Sequence, residues 1–499
     1  MATPRPSTSQ LTTGRPTHRL GVRALTALLP DLADLATPRY RSLAEAIEAL
    51  LLDGRIAPGA GLPSERELAV ALGISRSTTT AVYEQLAGDG LLTRRRGSGS
   101  YLRLPTGSRV NGPGGRVHRQ DGVIDLSIAA LPAAAGVLEA AAGRAVNRLA
   151  EFTTGVGYQP YGLSELRGLI AQRFNDRGVP TGPDQILVTN GAQHALDLIL
   201  RLSLDPGEKV LTELPSYPGA LDAIRAHGGR VLAMPPAADG SWDVTTMSAT
   251  LLQTSPRLAM LMPDFNNPTG ALIATDQRQA VLAAARRSGT RVVIDESFVE
   301  LDLSRPTPAI ADRPQPMAAL DPDVFSLGSL SKPVWGGLRI GWIRADPETV
   351  SRLAVLRAQA DMSGSLFDQL MACAVLADYD PILDRRRTEL RVKRDALLAA
   401  LATELPQWTP SQPVGGLSTW VRLDAPAATA LTQLAEQRGI LLTPGSRFAV
   451  DASLERYLRL PYALAPEVLV EAVTRIAQAW ADLDQRRVRR PEASALLPA

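Results

Sequence analysis

The chain has 499 residues, of which 45% are hydrophobic and 21% charged, a balance typical of soluble globular proteins. Its single cysteine, Cys373, excludes internal disulfides and cysteine-based metal sites, and its four histidines are scattered, so we expect no metal. No run of 18 apolar residues occurs, so we expect a cytoplasmic protein without a membrane span.

The charge is unevenly distributed along the chain. The net charge is +2, but residues 1–120 hold 16 arginines against nine acidic residues, a net +7 that leaves −5 for the remainder. A basic N-terminal part favours contact with a polyanion, although a solvated basic face has the same composition.

The N-terminal region reads as a tail, three helices and a hairpin. Residues 1–36 are predicted to be the tail, and apolar residues at helical spacing predict a helix over about 42–53. Ser64 and Glu67 have the spacing of a capping box for the next helix, and Ser75 can cap a further one. The stretch "GLLTRRRGSGSYL" alternates like a β-hairpin with a glycine-containing tip.

This order is that of a helix-turn-helix followed by a wing, in which the second helix of the motif enters the DNA major groove. Here that helix begins "SRSTTT", so Arg76 could reach guanine and the hydroxyls after it could reach phosphates or base edges. Arg66 could anchor a phosphate, and an arginine-flanked wing tip suits a narrow minor groove. A three-helix protein-interaction domain is the alternative. The predicted DNA-contacting residues are Arg66, Arg76, Ser77, Thr78, Thr79, Arg95 and Gly97.

The amino-acid sequence of this region is more specific than the order of its predicted elements. The stretch "LPSERELAVALGISRSTTTAVYEQLAGDGLLTRRRGSGSYL" resembles the winged helix-turn-helix of GntR-family transcription regulators, over roughly residues 38–103. The resemblance implies a DNA-binding domain over 37–104. It also implies DNA contacts at the positions of Arg66, Arg76, Thr78 and Gly97.

A linker and a larger body follow. Five glycines and two prolines in "LPTGSRVNGPGGRVHRQDG" predict a linker over 105–122. Over 123–485, helical stretches alternate with short Val/Ile/Leu runs, which predicts an α/β domain with a mostly parallel sheet covered on both faces. Residues 486–499 are predicted to be a C-terminal tail.

One lysine of the body stands out because the chain has only three lysines against fifty arginines. Lys332 lies in "SLGSLSKPVWGGLRIGW", and an arginine could not replace its amine in forming a Schiff base. A chance surface lysine is the alternative. Pyridoxal phosphate would need this amine, a phosphate cradle, an acid for the pyridine nitrogen and a donor for the ring hydroxyl.

Each of these groups has a candidate. Backbone N–H groups of Ala192 and Gln193 would lie at a helix N-terminus, where phosphates bind well. Ser329 and Ser331 can bond phosphate oxygens, and Arg339 can clamp the phosphate.

Three further residues suit the ring of the cofactor. Asp295 ends a buried strand and could keep the pyridine nitrogen protonated. Asn267, in "NNPTG", could donate to the ring hydroxyl, and Tyr217 could stack on the ring. Taken singly, these residues also suit a helix cap, a turn and a turn-lining aromatic.

In this order the motifs resemble fold-type I enzymes of the class I/II aminotransferase superfamily. The resemblance rests on "NNPTG", on "DESF" and on "S-x-S-K" followed by an arginine seven residues later. It implies a small C-terminal α+β subdomain, a Schiff base at Lys332 and a substrate-carboxylate site at Arg459. It also implies a homodimer in which Tyr158 reaches the partner's phosphate. Phe298 departs from the pattern. The superfamily often has a tyrosine at this position that donates a hydrogen bond to the ring oxygen of the cofactor, and a phenyl ring cannot donate one.

Together the two parts resemble the MocR/GabR family of PLP-dependent transcription regulators. That resemblance implies a double-stranded DNA operator and, as effector, a small amino compound or PLP sensed through an aldimine at Lys332. One alternative is a catalytically active aminotransferase with an accessory DNA-binding domain, and vestigial transaminase activity is compatible with either reading. Another is a repressor whose body is only a dimerisation scaffold.

Overall fold

The computed structural model describes residues 20–26, 28–29, 39–52, 56, 59–95, 99–103, 122–237, 240–304, 312–450 and 453–488. The chain divides into two compact units, one comprising Met1–Arg116 with Gln485–Ala499 and the other Val117–Asp484. Within the described ranges, no helix is long and apolar enough to cross a membrane.

The N-terminal unit is a small helical domain with a wing. Its elements are α1 (Val22–Thr26), α2 (Arg39–Leu52), α3 (Glu65–Leu72), α4 (Arg76–Gly88), β1 (Leu92–Arg95) and β2 (Gly99–Leu102). Strands β1 and β2 pair antiparallel, with Leu92 opposite Leu102. Ile47, Leu68 and Val82, from three different helices, are almost completely buried in one core.

The helix starts follow from local chemistry. Ser64 Oγ accepts a hydrogen bond from Glu67 N at 3.2 Å, and the Glu67 carboxylate accepts one from Ser64 N at 2.8 Å, which confirms the predicted capping box. Gly73 ends α3 in the left-handed region at φ +62°. Ser75 Oγ accepts from Thr78 N at 3.0 Å and caps α4, also as predicted.

Of three boundaries predicted from the sequence, two differ from the structure and one lies almost entirely outside the described residues. The predicted tail, 1–36, contains helix α1, whose Leu25 is completely buried, so folded structure begins before residue 37. The predicted linker falls almost entirely on residues 104–121, which lie outside the described residues. The last helix continues to Val488, three residues beyond the predicted end of the body.

The second unit has a seven-stranded sheet with the order β4-β10-β9-β8-β7-β5-β6. Its strands are β4 (Ile186–Thr189), β5 (Lys209–Glu213), β6 (Arg230–Met234), β7 (Leu258–Leu261), β8 (Arg291–Asp295), β9 (Phe325–Ser329) and β10 (Gly341–Arg344). Strand β10 runs antiparallel to both neighbours, and the other pairs between β9 and β6 are parallel. The carboxyl ends of β5, β7, β8 and β9 therefore lie at one edge of the sheet.

Helices alternate with these strands. They are α5 (Val137–Arg148), α6 (Ser164–Asp176), α7 (Ala192–Ser203), α8 (Pro218–Ala226), α9 (Val244–Thr254), α10 (Thr275–Ser288), α11 (Met317–Leu320), α12 (Pro347–Arg357), α13 (Leu366–Ala377) and α14 (Tyr379–Glu404). Strands β4, β7 and β9 are buried along their whole length, as expected for a sheet covered on both faces.

The rest of the unit is a smaller α+β part, as the resemblance implied. Its elements are β3 (Ile124–Asp125), β11 (Thr409–Pro410), β12 (Ser418–Arg422), α15 (Ala428–Gln437), β13 (Ile440–Leu441), β14 (Thr443–Pro444), β15 (Tyr457–Pro461) and α16 (Pro466–Val488). An antiparallel sheet has the order β11-β12-β15-β14, and β3 pairs in parallel with β13. This pairing holds the beginning of the unit against its C-terminal part.

Candidate functional site

Lys332 lies just beyond the carboxyl end of β9, and its amine donates a hydrogen bond to the carbonyl oxygen of Ala129 at 2.8 Å. The amine is 5.5 Å from the centre of the Phe298 ring. Burial and the positive charge of Arg459 lower the pKa of Lys332 to about 8, against the opposing effect of Asp295. The neutral, nucleophilic form of the amine is therefore available near physiological pH.

Asp295 ends β8 and is 6% exposed. One of its carboxylate oxygens accepts a hydrogen bond from Ser297 N at 2.8 Å. Burial raises the pKa of Asp295, while the bonds from Ser297 and the charge of Lys332 act in the other direction. Among the described residues Asp295 forms no ion pair, so it can receive a cationic ring nitrogen.

Asn267 is buried and has an unsatisfied side-chain atom. It is 5% exposed, and its Oδ1 has no hydrogen-bond partner among the described residues. The assignment of oxygen and nitrogen in an amide follows from its partners, so this side chain is open to a polar group of a ligand.

A candidate phosphate cradle lies where α7 begins. Gly191 precedes the helix at φ +87°, and a Cβ there would lie 2.7 Å from Nη2 of Arg339. A Cβ at Gly341 would lie 2.8 Å from Ala192 N, so the glycines let these chains approach closely. Backbone N–H groups at a helix N-terminus beside a guanidinium form an anion site.

Two serines at the end of β9 extend the polar surface. Ser329 Oγ donates to Ser331 Oγ at 2.7 Å and also contacts the carbonyl oxygen of Ile340 at 3.0 Å. Ser329 Oγ in turn accepts from Ser331 N at 3.0 Å. The two hydroxyls are thus preorganised as a pair.

Gln193 and Tyr217 converge on Gly219. Gln193 Nε2 donates to the carbonyl oxygen of Gly219 at 3.1 Å, and a Cβ on Gly219 would lie 2.6 Å from the Tyr217 ring. Burial raises the pKa of Tyr217, and the negative charge of Asp295 raises it further. Tyr217 and Asp295 therefore lie in one electrostatic environment.

Arg459, on β15, is 6% exposed. Its guanidinium donates to the carbonyl oxygen of Ser127 and lies 5.3 Å from the centre of the Phe448 ring. Its Nε has no partner among the described residues, and burial lowers its pKa to about 10. A buried guanidinium with a free N–H can donate to a carboxylate.

The segment 126–131, which we call the entry segment, contacts two cations of the site, Lys332 and Arg459. Ser127 O binds Arg459, and Ala129 O binds Lys332. Sequence reasoning missed these contacts, because every residue has a carbonyl acceptor and no residue type marks them. It also missed Glu213, which ends β5 and accepts hydrogen bonds from Met262 N and Asn266 Nδ2, although an acidic residue ends an apolar run there as Asp295 ends β8.

These residues fit pyridoxal phosphate. The amine, the unpaired buried carboxylate and the unsatisfied Asn267 amide each match one group of the cofactor, and the glycine-lined cradle matches its phosphate.

The residues predicted to contact DNA differ in accessibility. Arg66, Arg76 and Ser77 are exposed, and Thr78 is half-buried. Thr79 is completely buried, and its hydroxyl faces the carbonyl oxygen of Ser75 at 3.4 Å, so its predicted DNA contact is wrong. The side chain of Arg95 and the whole of Gly97 lie outside the described residues.

Comparisons with known proteins match both units. Residues 121–476 match the family described as aminotransferase class I and II, and residues 39–102 match bacterial regulatory proteins of the gntR family. The chain is 33% identical over 323 residues to a 2-aminoadipate transaminase of Thermus thermophilus, covering 64% of this chain and 79% of that protein.

Regulators match over a greater length. The HTH-type transcriptional regulator YisV of Bacillus subtilis is 27% identical, over 86% of this chain and 93% of its own. NorG of Staphylococcus aureus, also an HTH-type transcriptional regulator, is 24% identical over 81% and 95%. Among solved structures, T. thermophilus LysN, an alpha-aminoadipate aminotransferase complexed with N-(5'-phosphopyridoxyl)-L-leucine, has a TM-score of 0.66 and 31% identity. It covers 73% of this chain and 94% of its own.

The chain therefore belongs to the aminotransferase class I and II family, with pyridoxal 5'-phosphate as its cofactor. A GntR-type helix-turn-helix precedes that fold in the sequence, which is the MocR-type architecture of PLP-dependent regulators.

Proposed function

We propose that this protein is a DNA-binding transcription regulator that senses a small amino compound, or PLP itself, at Lys332. The observation that carries the proposal is the pair of contacts made by the entry segment. Arg459 and Lys332, the two cations suited to a carboxylate and an amine-reactive cofactor, both donate to carbonyls of residues that follow the predicted linker.

The DNA side of the proposal rests on exposed residues. Arg76 is the first residue of α4, the predicted recognition helix, and Arg66 lies on α3. Neither belongs to an ion pair among the described residues, so both guanidiniums are available to phosphates or bases. The net charge of +7 over residues 1–120 would attract a DNA duplex.

The chain's residues have separate tasks at the cofactor. When bound, pyridoxal phosphate supplies an aldehyde that captures primary amines and a ring that withdraws electrons. Lys332 holds it covalently, Asp295 holds the ring nitrogen, and Asn267 meets the ring oxygen. The phosphate lies among Ser329, Ser331, Arg339 and the first N–H groups of α7, with Tyr158 reaching it from the partner subunit in a homodimer. Tyr158 is 57% exposed, as such a role requires.

Arg459 gives the site selectivity for compounds with a carboxylate. A carboxylate bound by Arg459 competes with Ser127 O, and a charged acceptor is the stronger partner of a guanidinium. Occupation of the site would thus remove the contact of Arg459 with the entry segment, which follows the linker after strand β3. A ligand biases two states only through its different affinity for each, and this contact supplies such a difference.

Titration of amino compounds into purified protein tests the proposal. The absorption of bound PLP would report capture, and fluorescence anisotropy of a DNA fragment from upstream of the coding gene would report DNA affinity. Arg459→Ala should lose the response to carboxylated compounds, whereas Arg456→Ala, an exposed arginine three residues earlier, should keep it. An unchanged response in Arg459→Ala would contradict the proposal.

A working aminotransferase with an accessory DNA-binding domain is the second candidate, favoured by the 33% identity to a transaminase. Steady turnover of an amino donor and a keto acid at ordinary enzyme rates, on the order of 1–1000 per second, without sequence-specific DNA binding would support it.

A further inference from the structure

The turn that carries Asn267 is held by a glutamate from a neighbouring strand. Glu213 is the last residue of β5, and one of its carboxylate oxygens accepts a hydrogen bond from Met262 N. The other oxygen accepts from Asn266 Nδ2 at 2.8 Å. Both donors belong to the stretch 262–273, so one carboxylate fixes the start of the turn and the residue next to Asn267.

The hydrogen bonds have a fixed direction. Asn266 donates to Glu213 through its amide nitrogen, while its Oδ1 accepts from Thr269 N at 3.3 Å and from Thr269 Oγ1 at 2.9 Å. Burial raises the pKa of Glu213 to about 7, and both of its carboxylate oxygens accept hydrogen bonds here, so the side chain orients the amide of Asn266. The oriented amide then closes the turn around Asn267.

The turn needs this support. Phe265 has φ +54°, in the left-handed region that non-glycine residues rarely adopt. Arg278, completely buried, holds the two ends of the turn by donating to Ile273 O at 2.8 Å and Pro263 O at 3.2 Å. The side chain of Asn267 has an unsatisfied oxygen, so the backbone of the turn determines its position.

We propose that Glu213 is a positioning residue for the cofactor, which acts through Met262 and Asn266 to hold Asn267 where its side chain meets the ring oxygen of PLP. This inference rests on the role proposed above for Asn267. The hydrogen bonds of Glu213 described above go to Met262 and Asn266, whereas the amine of Lys332 donates to Ala129.

Reversing the direction of the hydrogen bond tests the inference. A glutamine at position 213 has only one acceptor oxygen, so its NH2 group must face one of the two donors, Met262 N or Asn266 Nδ2. We therefore expect Glu213→Gln to bind PLP about tenfold more weakly or worse. We also expect a shift of its visible absorption band in the direction produced by Asn267→Ala. Asn266→Asp places two carboxylates together and should have a similar effect.

The double variant Glu213→Gln/Asn266→Asp restores a complete set of donors and acceptors. The introduced glutamine can donate to the introduced aspartate and still accept from Met262 N, and the aspartate can accept from Thr269. We expect PLP affinity and absorption to return to within about threefold of wild type, a coupling that independent sites would not show.

Glu455→Gln is the matched control, because Glu455 is a buried glutamate that also accepts two bonds, from Thr429 N at 2.9 Å and Thr429 Oγ1 at 2.6 Å. Thermal unfolding checks that each variant folds, and if Glu213→Gln does not fold, Asn266→Asp and the double variant decide. The inference is wrong if Glu213→Gln, or Asn266→Asp in its place, acts no more strongly than the control, or if the double variant shows no recovery. If Asn267→Ala leaves affinity and absorption unchanged, the role of Asn267 fails first.

Discussion

At the scale of single residues, Lys332 combines two properties that a cofactor anchor needs. It is a rare lysine in an arginine-rich chain, and its surroundings lower its pKa to about 8. The position of Asp295, Ser329 and Arg339 relative to it could be predicted from motif order, because Asp295 and Ser329 end strands of one sheet and Arg339 lies just before another strand of that sheet. The contacts of Ser127 and Ala129 could not, since they join backbone carbonyls to side chains far along the chain.

The pKa of Lys332 predicts a pH dependence of PLP attachment. The neutral amine is the nucleophile, so the attachment rate should rise with pH and level off above about 8, rather than near the value of about 10.4 for an ordinary lysine. Stopped-flow absorbance after mixing cofactor-free protein with PLP measures this rate. A rate that still rises steeply through pH 9–10 would contradict the lowered pKa.

Replacing Phe298 by tyrosine should change how the visible absorption of bound PLP depends on pH. Phe298→Tyr introduces a hydroxyl beside Lys332, and a donor to the ring oxygen favours its ionised form. We therefore expect the pH midpoint of the visible absorption of bound PLP to move to lower pH. Phe367→Tyr, on helix α13, serves as the control and should leave the midpoint unchanged.

Thr79 shows a case in which the sequence contained a signal against the prediction. Thr79, Val82, Tyr83 and Leu86 have the i, i+3, i+4, i+7 spacing of one helix face, and all are buried.

We expect Thr79→Val to leave DNA affinity unchanged. Arg76→Ala should weaken binding by about tenfold or more, as measured by anisotropy.

At the scale of elements, helix starts were predictable because their chemistry is local. The capping box of α3 needs only Ser64 and Glu67, three residues apart. The short helix α1 was missed because its five residues carry too little periodicity, and its place depends on burial of Leu25 in a core formed by distant segments.

The capping box predicts a local stability effect. Ser64→Ala removes the acceptor for Glu67 N and should weaken the start of α3 by about 1 kcal/mol. Hydrogen–deuterium exchange of the peptide containing residues 65–72 should then become about fivefold faster. Val70→Ala, at a side chain that is 79% exposed on the same helix, should change exchange little.

At the scale of the whole molecule, the fold class could be predicted from the alternation of helices and short apolar runs. A shared site between two subunits goes further, and Tyr158 allows it to be tested. Mixed dimers of Tyr158→Ala and Lys332→Ala chains should contain one site with both residues intact. We expect such dimers to bind PLP with normal affinity at that one site, as measured by absorbance titration. Mixed dimers without any normal site would exclude the shared arrangement.

The most direct measurement for the central claim is the effect of PLP and an active amino compound on DNA affinity in wild type, Lys332→Ala and Lys209→Ala. Lys209 is an exposed lysine, so its variant controls for loss of charge. We predict that wild type and Lys209→Ala change DNA affinity on ligand addition. Lys332→Ala should bind the same DNA but give no change. An equal response in all three proteins would contradict regulation through Lys332.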